Sequence, residues 1–278
     1  MNTILVPTDF SLNADKAFDY ALQIARRVAG EVIVLHVCAL PLPEYATEPE
    51  GMREYNRLRA VELQLRLDQY RQRVAPDEWV RVRTLLVDGD TVDAIVKKAG
   101  QYSADLIVMG TRGAGIIKAL LVGSHTAAVM AATDIPVIAV PDQYTGGLPD
   151  HILLAIAQEE RESVLAPLFR LRALFGAGIR TITFSENDES AEELLEHTRT
   201  VRTATRKWKE AFSLPELPGD HIVGEDFFAA IDEYVDLERI NLLAMVTHRR
   251  GGLQGLFQSS LTRKMAYHTH VPLISLHA

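Results

Sequence analysis

Residues Met109 to Thr126, MGTRGAGIIKALLVGSHT, decide how this chain is read. The run that leads into them, DLIVMG, is short and apolar, as a buried strand is, and the segment beyond Gly123 has helical character. Gly110, Gly113, Gly115 and Gly123 therefore fall where a strand of a parallel sheet turns outward into a helix. Such turns often hold phosphate, because backbone amides at a helix N-terminus point at the anion. Two readings stand at this point: a nucleotide cradle, or a turn whose glycines serve geometry alone.

The flanking sequence supplies the sheet. NTILVPTDF is an apolar strand ended by Pro7 and Asp9, and SLNADKAFDYALQIARRVAG places Ala17, Tyr20, Ala21, Ile24 and Ala25 on one helical face. Ser11 or Asn13 is its expected N-cap and Gly30 its stop. EVIVLHVCAL reads as a second strand, GMREYNRLRAVELQLRLDQYRQRV as a long charged amphipathic helix, WVRVRTLLV as a third strand and DTVDAIVKKAGQ as a short helix. Beyond the glycines come a helix to about Ala132 and a last strand, IPVIAVP. Strands alternating with helices predict a parallel sheet covered on both faces.

DQYTGGLPD then has linker composition, and the pattern begins again with HILLAIA, ESVLAPLFRLRALFGAG, IRTITF and a long charged helix over residues 191–212. A gapless shift of 136 lays Asp105 to Val140 on Asn241 to Leu276 with 10 identities in 36 positions, including Met109, Ser124, Thr126 and Pro136. Ordinary residue frequencies give roughly 2 by chance. The chain is predicted to hold two copies of one α/β domain, over residues 1–143 and 149–278.

Composition bounds the function. A 278-residue chain that is 47% hydrophobic can bury two ordinary cores, and its net charge of −8 argues against a general electrostatic grip on nucleic acid or an anionic membrane. The lone Cys38, inside VIVLHVCAL, has no internal disulfide partner and reads as a buried small hydrophobe suited to a reducing compartment. MNTILVPTDF lacks the pattern of a signal peptide, and no apolar run reaches the ~18 residues of a membrane span. A soluble cytoplasmic protein with neither nucleic-acid nor membrane partners is expected. Neither the Walker spacing, nor G-x-G-x-x-G after the first strand, nor G-x-S-x-G is present. The histidines of HTH at 268–270 read as a turn before the last strand rather than a metal pair.

ILVPTDFS, VIVLHV, DLIVMGTRG followed by nine residues and GS, and IPVIAVP together resemble the universal stress protein family in its tandem two-domain form. The glycine spacing G-x-x-G-x9-G-[ST] falls on Gly110, Gly113, Gly123 and Ser124. The resemblance implies two five-stranded, doubly wound, Rossmann-like sheets. It also implies ATP, with or without Mg²⁺, at the carboxyl ends of the strands where the motif is kept. Carried over residue by residue, Pro7, Thr8, Asp9 and Val37 would lie on the adenosine side. Met109, Gly110, Arg112, Gly113, Gly123, Ser124 and His125 would surround the ribose and phosphates. Gly110 and Gly113 would permit close approach and positive φ, so that consecutive amides form an anion nest, and Arg112 would add a charged donor. Such a nest reads phosphate more than base, so ATP and AMP are not separated by it. His36 reads as packed at the sheet edge.

The second copy departs from the motif. Val246 stands at Gly110, Arg249 at Gly113 and Ser259 at Gly123, while the first turn, LLAIAQ, sets Gln158 at the place of Asp9. One nucleotide site per chain is therefore expected; THRRGG keeps positive charge and reads as a solvated basic loop, the alternative being a site for a different anion near His248, Arg249 and Arg250. No residue resembles a base placed to activate water, so any hydrolysis should be slow. The functional expectation is an ATP-binding stress-response or signalling protein with a further protein partner. Its rivals are a nucleotide-independent interaction scaffold and a slow ATPase. Universal stress proteins pair through their last strands, so the resemblance implies an internal pseudo-dimer with the PVIAV and PLISL strands adjacent, and leaves a further homodimer of two chains open.

Overall fold

The computed structural model describes residues 2–40, 48–75, 80–111, 124–186, 191–248, 262, 264–266 and 268–278. Contacts gather them into two compact units, Met1–Ile135 and Pro136–Ala278.

In the first unit, β1 (Thr3–Pro7), β2 (Glu31–Cys38), β3 (Arg81–Asp88) and β4 (Leu106–Gly110) alternate with α1 (Leu12–Val28), α2 (Pro49–Gln72) and α3 (Thr91–Gln101), and α4 (Ser124–Ala132) follows. The strands run parallel in the order β3-β2-β1-β4, with Pro7 opposite Leu35 and Ile4 opposite Leu106. Ile4, Leu5, Val6, Val32, Ile33, Val34 and Leu35 are fully buried. Consecutive rather than alternate burial is what a sheet covered on both faces requires. Helix α1 starts where Ser11 caps the Ala14 amide. It ends with Ala29, not Gly30, in the left-handed conformation (φ 49°). Gly30 answers a different need, since a Cβ there would lie 2.9 Å from the Asn2 carbonyl oxygen.

The second unit repeats the plan in the order β5-β10-β9-β6-β7-β8. β6 (His151–Ala155), β7 (Gly178–Glu186), β8 (Gly219–Gly224), β9 (Leu242–Thr247) and β10 (Leu273–His277) are mutually parallel, with α5 (Glu162–Phe175), α6 (Ala191–Ala211) and α7 (Phe227–Leu237) between them. β5 (Val137–Val140), the last strand of the first copy, lies antiparallel to β10 with Ile138 opposite Ile274. The expected PVIAV–PLISL adjacency is thus realised, and the edge of β10 is covered. Each copy supplies five strands, and the chain is two tandem five-stranded, doubly wound α/β domains. Among the described residues no helix is long and apolar enough to cross a membrane.

Candidate functional site

In the strand order of the first unit the connections diverge on either side of β1, which makes the gap between the β1 and β4 carboxyl ends the switch point where such sheets take ligands. Beyond Pro7 the Thr8 amide still donates to the Leu35 carbonyl (2.8 Å), one residue past the strand. The chain then turns sharply: Phe10 is left-handed (φ 62°), and its amide donates to Thr8 Oγ1 (2.9 Å). Asp9 Oδ1 accepts from the Ser11 amide (3.0 Å), which closes an Asx turn and leaves Asp9 exposed. The turn is tied down from β2 by His36, whose Nδ1 lies 2.7 Å from the Thr8 carbonyl and therefore carries the proton. Burial pushes the His36 pKa down, so the neutral ring is favoured and Nε2 is left with a lone pair. Far along the sequence, Tyr70 of α2 completes the support with its phenol 2.8 Å from Thr8 Oγ1. The Phe10 ring is held between His36 (centroids 4.4 Å apart) and the Arg66 guanidinium (4.0 Å).

On the β4 side, the Gly110 carbonyl accepts from the Thr126 hydroxyl (2.7 Å), which fixes the start of α4 against the strand end. Gly110 is not at positive φ, contrary to expectation. A Cβ on it would meet the Asn13 side chain at 2.8 Å and the Asn13 carbonyl oxygen at 2.9 Å, so it is glycine because α1 crosses β4 there.

These elements enclose a cleft of about 260 Å³. It brings together Pro7, Thr8, Asp9, Val37, Met109, Gly110 and His125, all named from the sequence. Ser124, the first residue of α4, is exposed and does not line it. Arg112, Gly113 and Gly123 lie outside the described residues. The sequence reading missed His36, which lines the cleft rather than packing at a sheet edge, and also Thr91 and Ile95 of α3 and Thr126. A buried or half-buried polar residue at the end of an apolar strand was the available signal for His36. Nothing periodic pointed to Thr91.

Strand registers also correct the alignment of the copies. Ala155 faces Ile182 as Pro7 faces Leu35, and Ile152 faces Leu242 as Ile4 faces Leu106. Ala157 therefore stands at the place of Asp9, with Gln158 one residue further on. His248 is likewise no solvated loop residue: its side chain is 11% exposed and its Nε2 lies 2.8 Å from Glu160 Oε1. Arg249 and Arg250 lie outside the described residues.

The family model described as "Universal stress protein family" matches residues 1–141. The chain belongs to the universal stress protein family. A universal stress protein of Thermus aquaticus, named for its place in the QAH/OAS sulfhydrylase 3′ region, is 34% identical over 141 residues, covering 50% of this chain and 97% of the relative. Universal stress protein MJ0531 of Methanocaldococcus jannaschii is 32% identical over 49% of this chain and 80% of its own length. The fold of a universal stress protein from Archaeoglobus fulgidus covers 99% of this chain and 97% of that one with a TM-score of 0.69 at 19% identity. A tandem universal stress protein follows, with a general role in the stress response. In its first domain Gly110, the residue at which the glycine spacing begins, lines the cleft.

Proposed function

We propose that the first domain binds an adenine nucleotide, one per chain, and that occupancy of this cleft serves a stress-response signal in the cytoplasm. One observation carries the reading: Met109, Gly110 and His125, expected at the ribose and phosphates, and Pro7, Thr8, Asp9 and Val37, expected at adenosine, are far apart in sequence and line a single cleft at the switch point. Its volume of about 260 Å³ is near the lower bound of small-molecule pockets and suits a nucleoside. The phosphates are assigned to the 112–123 stretch and the start of α4, whose aligned amides favour negative charge. The apolar walls Leu35, Val37, Ile95 and Met109 take the base, and the lone pair of His36 Nε2 is an acceptor for its exocyclic amine. Asp9, exposed and already accepting one amide, is an acceptor for ribose hydroxyls rather than a phosphate partner.

No acid or base of the cleft is placed by this reading to activate water, so binding rather than turnover is the proposed event. The test is calorimetric titration of the full chain with Mg·ATP, beside chromatography of small molecules released on denaturation. One adenine nucleotide per chain, lost in Gly113→Val, supports the proposal. Absence of both retained and added nucleotide at millimolar concentration leaves an interaction scaffold instead.

A further inference from the structure

The second domain carries a pocket of about 180 Å³ at the carboxyl ends of β6, β7 and β9, in the place of the first domain's cleft. The same registers set Ile156 at Thr8, Phe184 at Val37 and Val246 at Gly110. Its walls, Ile182, Phe184, Phe227, Ile231 and Met245, are apolar, and the two phenylalanine rings meet edge to face at 5.4 Å. One end is polar. There the Glu160 carboxylate, 5% exposed, is paired with His248, and the Glu160 backbone is fixed by the Trp208 indole N–H donating to its carbonyl (3.0 Å).

Thr262 also lines this pocket, is 2% exposed, and has no hydrogen-bond partner for its hydroxyl among the described residues. Its counterpart Thr126 gives its hydroxyl to Gly110. A buried hydroxyl without a partner is costly, and a ligand atom in the pocket would relieve that cost. Among the described residues the Glu160–His248 pair is the charged feature of this end, and it offers an anion no unpaired positive charge. Val246 adds bulk at the position from which the first domain would approach phosphate.

We propose that the second domain binds a single-ring aromatic compound, uncharged or cationic, whose ring fills the Phe184–Phe227–Met245 pocket and whose hydroxyl or amine head bonds Thr262. A pocket of this size matches one ring: an apolar cavity of roughly 150 Å³ accommodates benzene. This site is independent of the nucleotide proposed for the first domain.

The matched methionines make both sites observable at once. In full-length protein labelled with [methyl-¹³C]methionine, Met245 reports this pocket and Met109 the first cleft. Benzyl alcohol and benzylamine are expected to shift Met245 saturably at millimolar concentration and leave Met109 in place. Benzoate and phenyl phosphate should bind at least about tenfold more weakly, since the described polar end offers their charge no free counter-charge and burying it unpaired is costly. Thr262→Val should weaken both ligands by about fivefold, the worth of one hydrogen bond. Ala157→Trp, at an exposed position on the pocket mouth, should abolish the Met245 response and gives a second reading if the Thr262 variant fails to fold. No saturable Met245 shift, benzoate binding as well as benzyl alcohol, or undiminished affinity in folded Thr262→Val or Ala157→Trp protein overturns the proposal.

Discussion

The hydroxyl of Thr8 and the phenol of Tyr70 lie 2.8 Å apart across 62 residues of sequence, and the phenol donates onward to Asp15 at 2.7 Å. Because Tyr70 gives its proton to Asp15, the Thr8 proton goes to Tyr70, while Thr8 Oγ1 accepts the Phe10 amide. Burial, and then the Asp15 hydrogen bond, push the Tyr70 pKa up, so the phenol stays neutral through the physiological range. One chain of donors thus joins the turn after β1, helix α1 and helix α2.

Tyr70→Phe removes the middle of that chain. Asp15 keeps Arg73 at 3.6 Å, so Thr8 bears the loss, and the expected cost is about 1–2 kcal/mol of unfolding free energy. Urea denaturation checks it, and an unchanged midpoint would show that water replaces the phenol without penalty.

Gly110→Ala places a methyl group within 3 Å of both the side chain and the carbonyl of Asn13. The clash is with backbone as well as side chain, so α1 must move, at a cost of about 1–3 kcal/mol. The displacement also shifts Ala14, which lines the cleft, so nucleotide affinity is expected to fall with stability. A variant as stable as the parent that has nonetheless lost nucleotide would assign Gly110 to the ligand rather than to packing.

His36 gives the first domain an acid limit. Its pKa in the folded chain lies below the ordinary 6.5, so the unfolded chain binds the proton more readily. Stability from this group is complete above about pH 6.5 and is lost as the pH falls from there through the folded value. His36→Gln should flatten the decline in melting temperature between pH 7.5 and pH 5.5. Parallel declines in parent and variant would mean that other groups set the acid limit.

Trp208 is 1% exposed and holds the Glu160 carbonyl. Trp208→Phe leaves that carbonyl without its donor and opens a small void, at an expected cost of about 2–4 kcal/mol. Chemical denaturation followed by circular dichroism measures the loss, and a change below about 0.5 kcal/mol would contradict it.

The sequence by itself determined the element order of the first copy, the repeat and the switch point. Hydrophobic period tells a doubly covered strand from an amphipathic helix, and the glycine spacing marks where β4 ends. It did not assign β8 or α7, because β8 is a largely exposed strand bounded by Gly219 and Gly224, with little apolar pattern to read. Tertiary structure alone decided the alignment of the copies at Ala157: a slip of one residue leaves an apolar run looking the same but turns every side chain to the other face. It alone brought Tyr70 beneath Thr8, set Gly110 against Asn13 and buried Glu160 beside His248. Those contacts join residues with no shared period, and only the packing of helices onto a finished sheet fixes which of them meet.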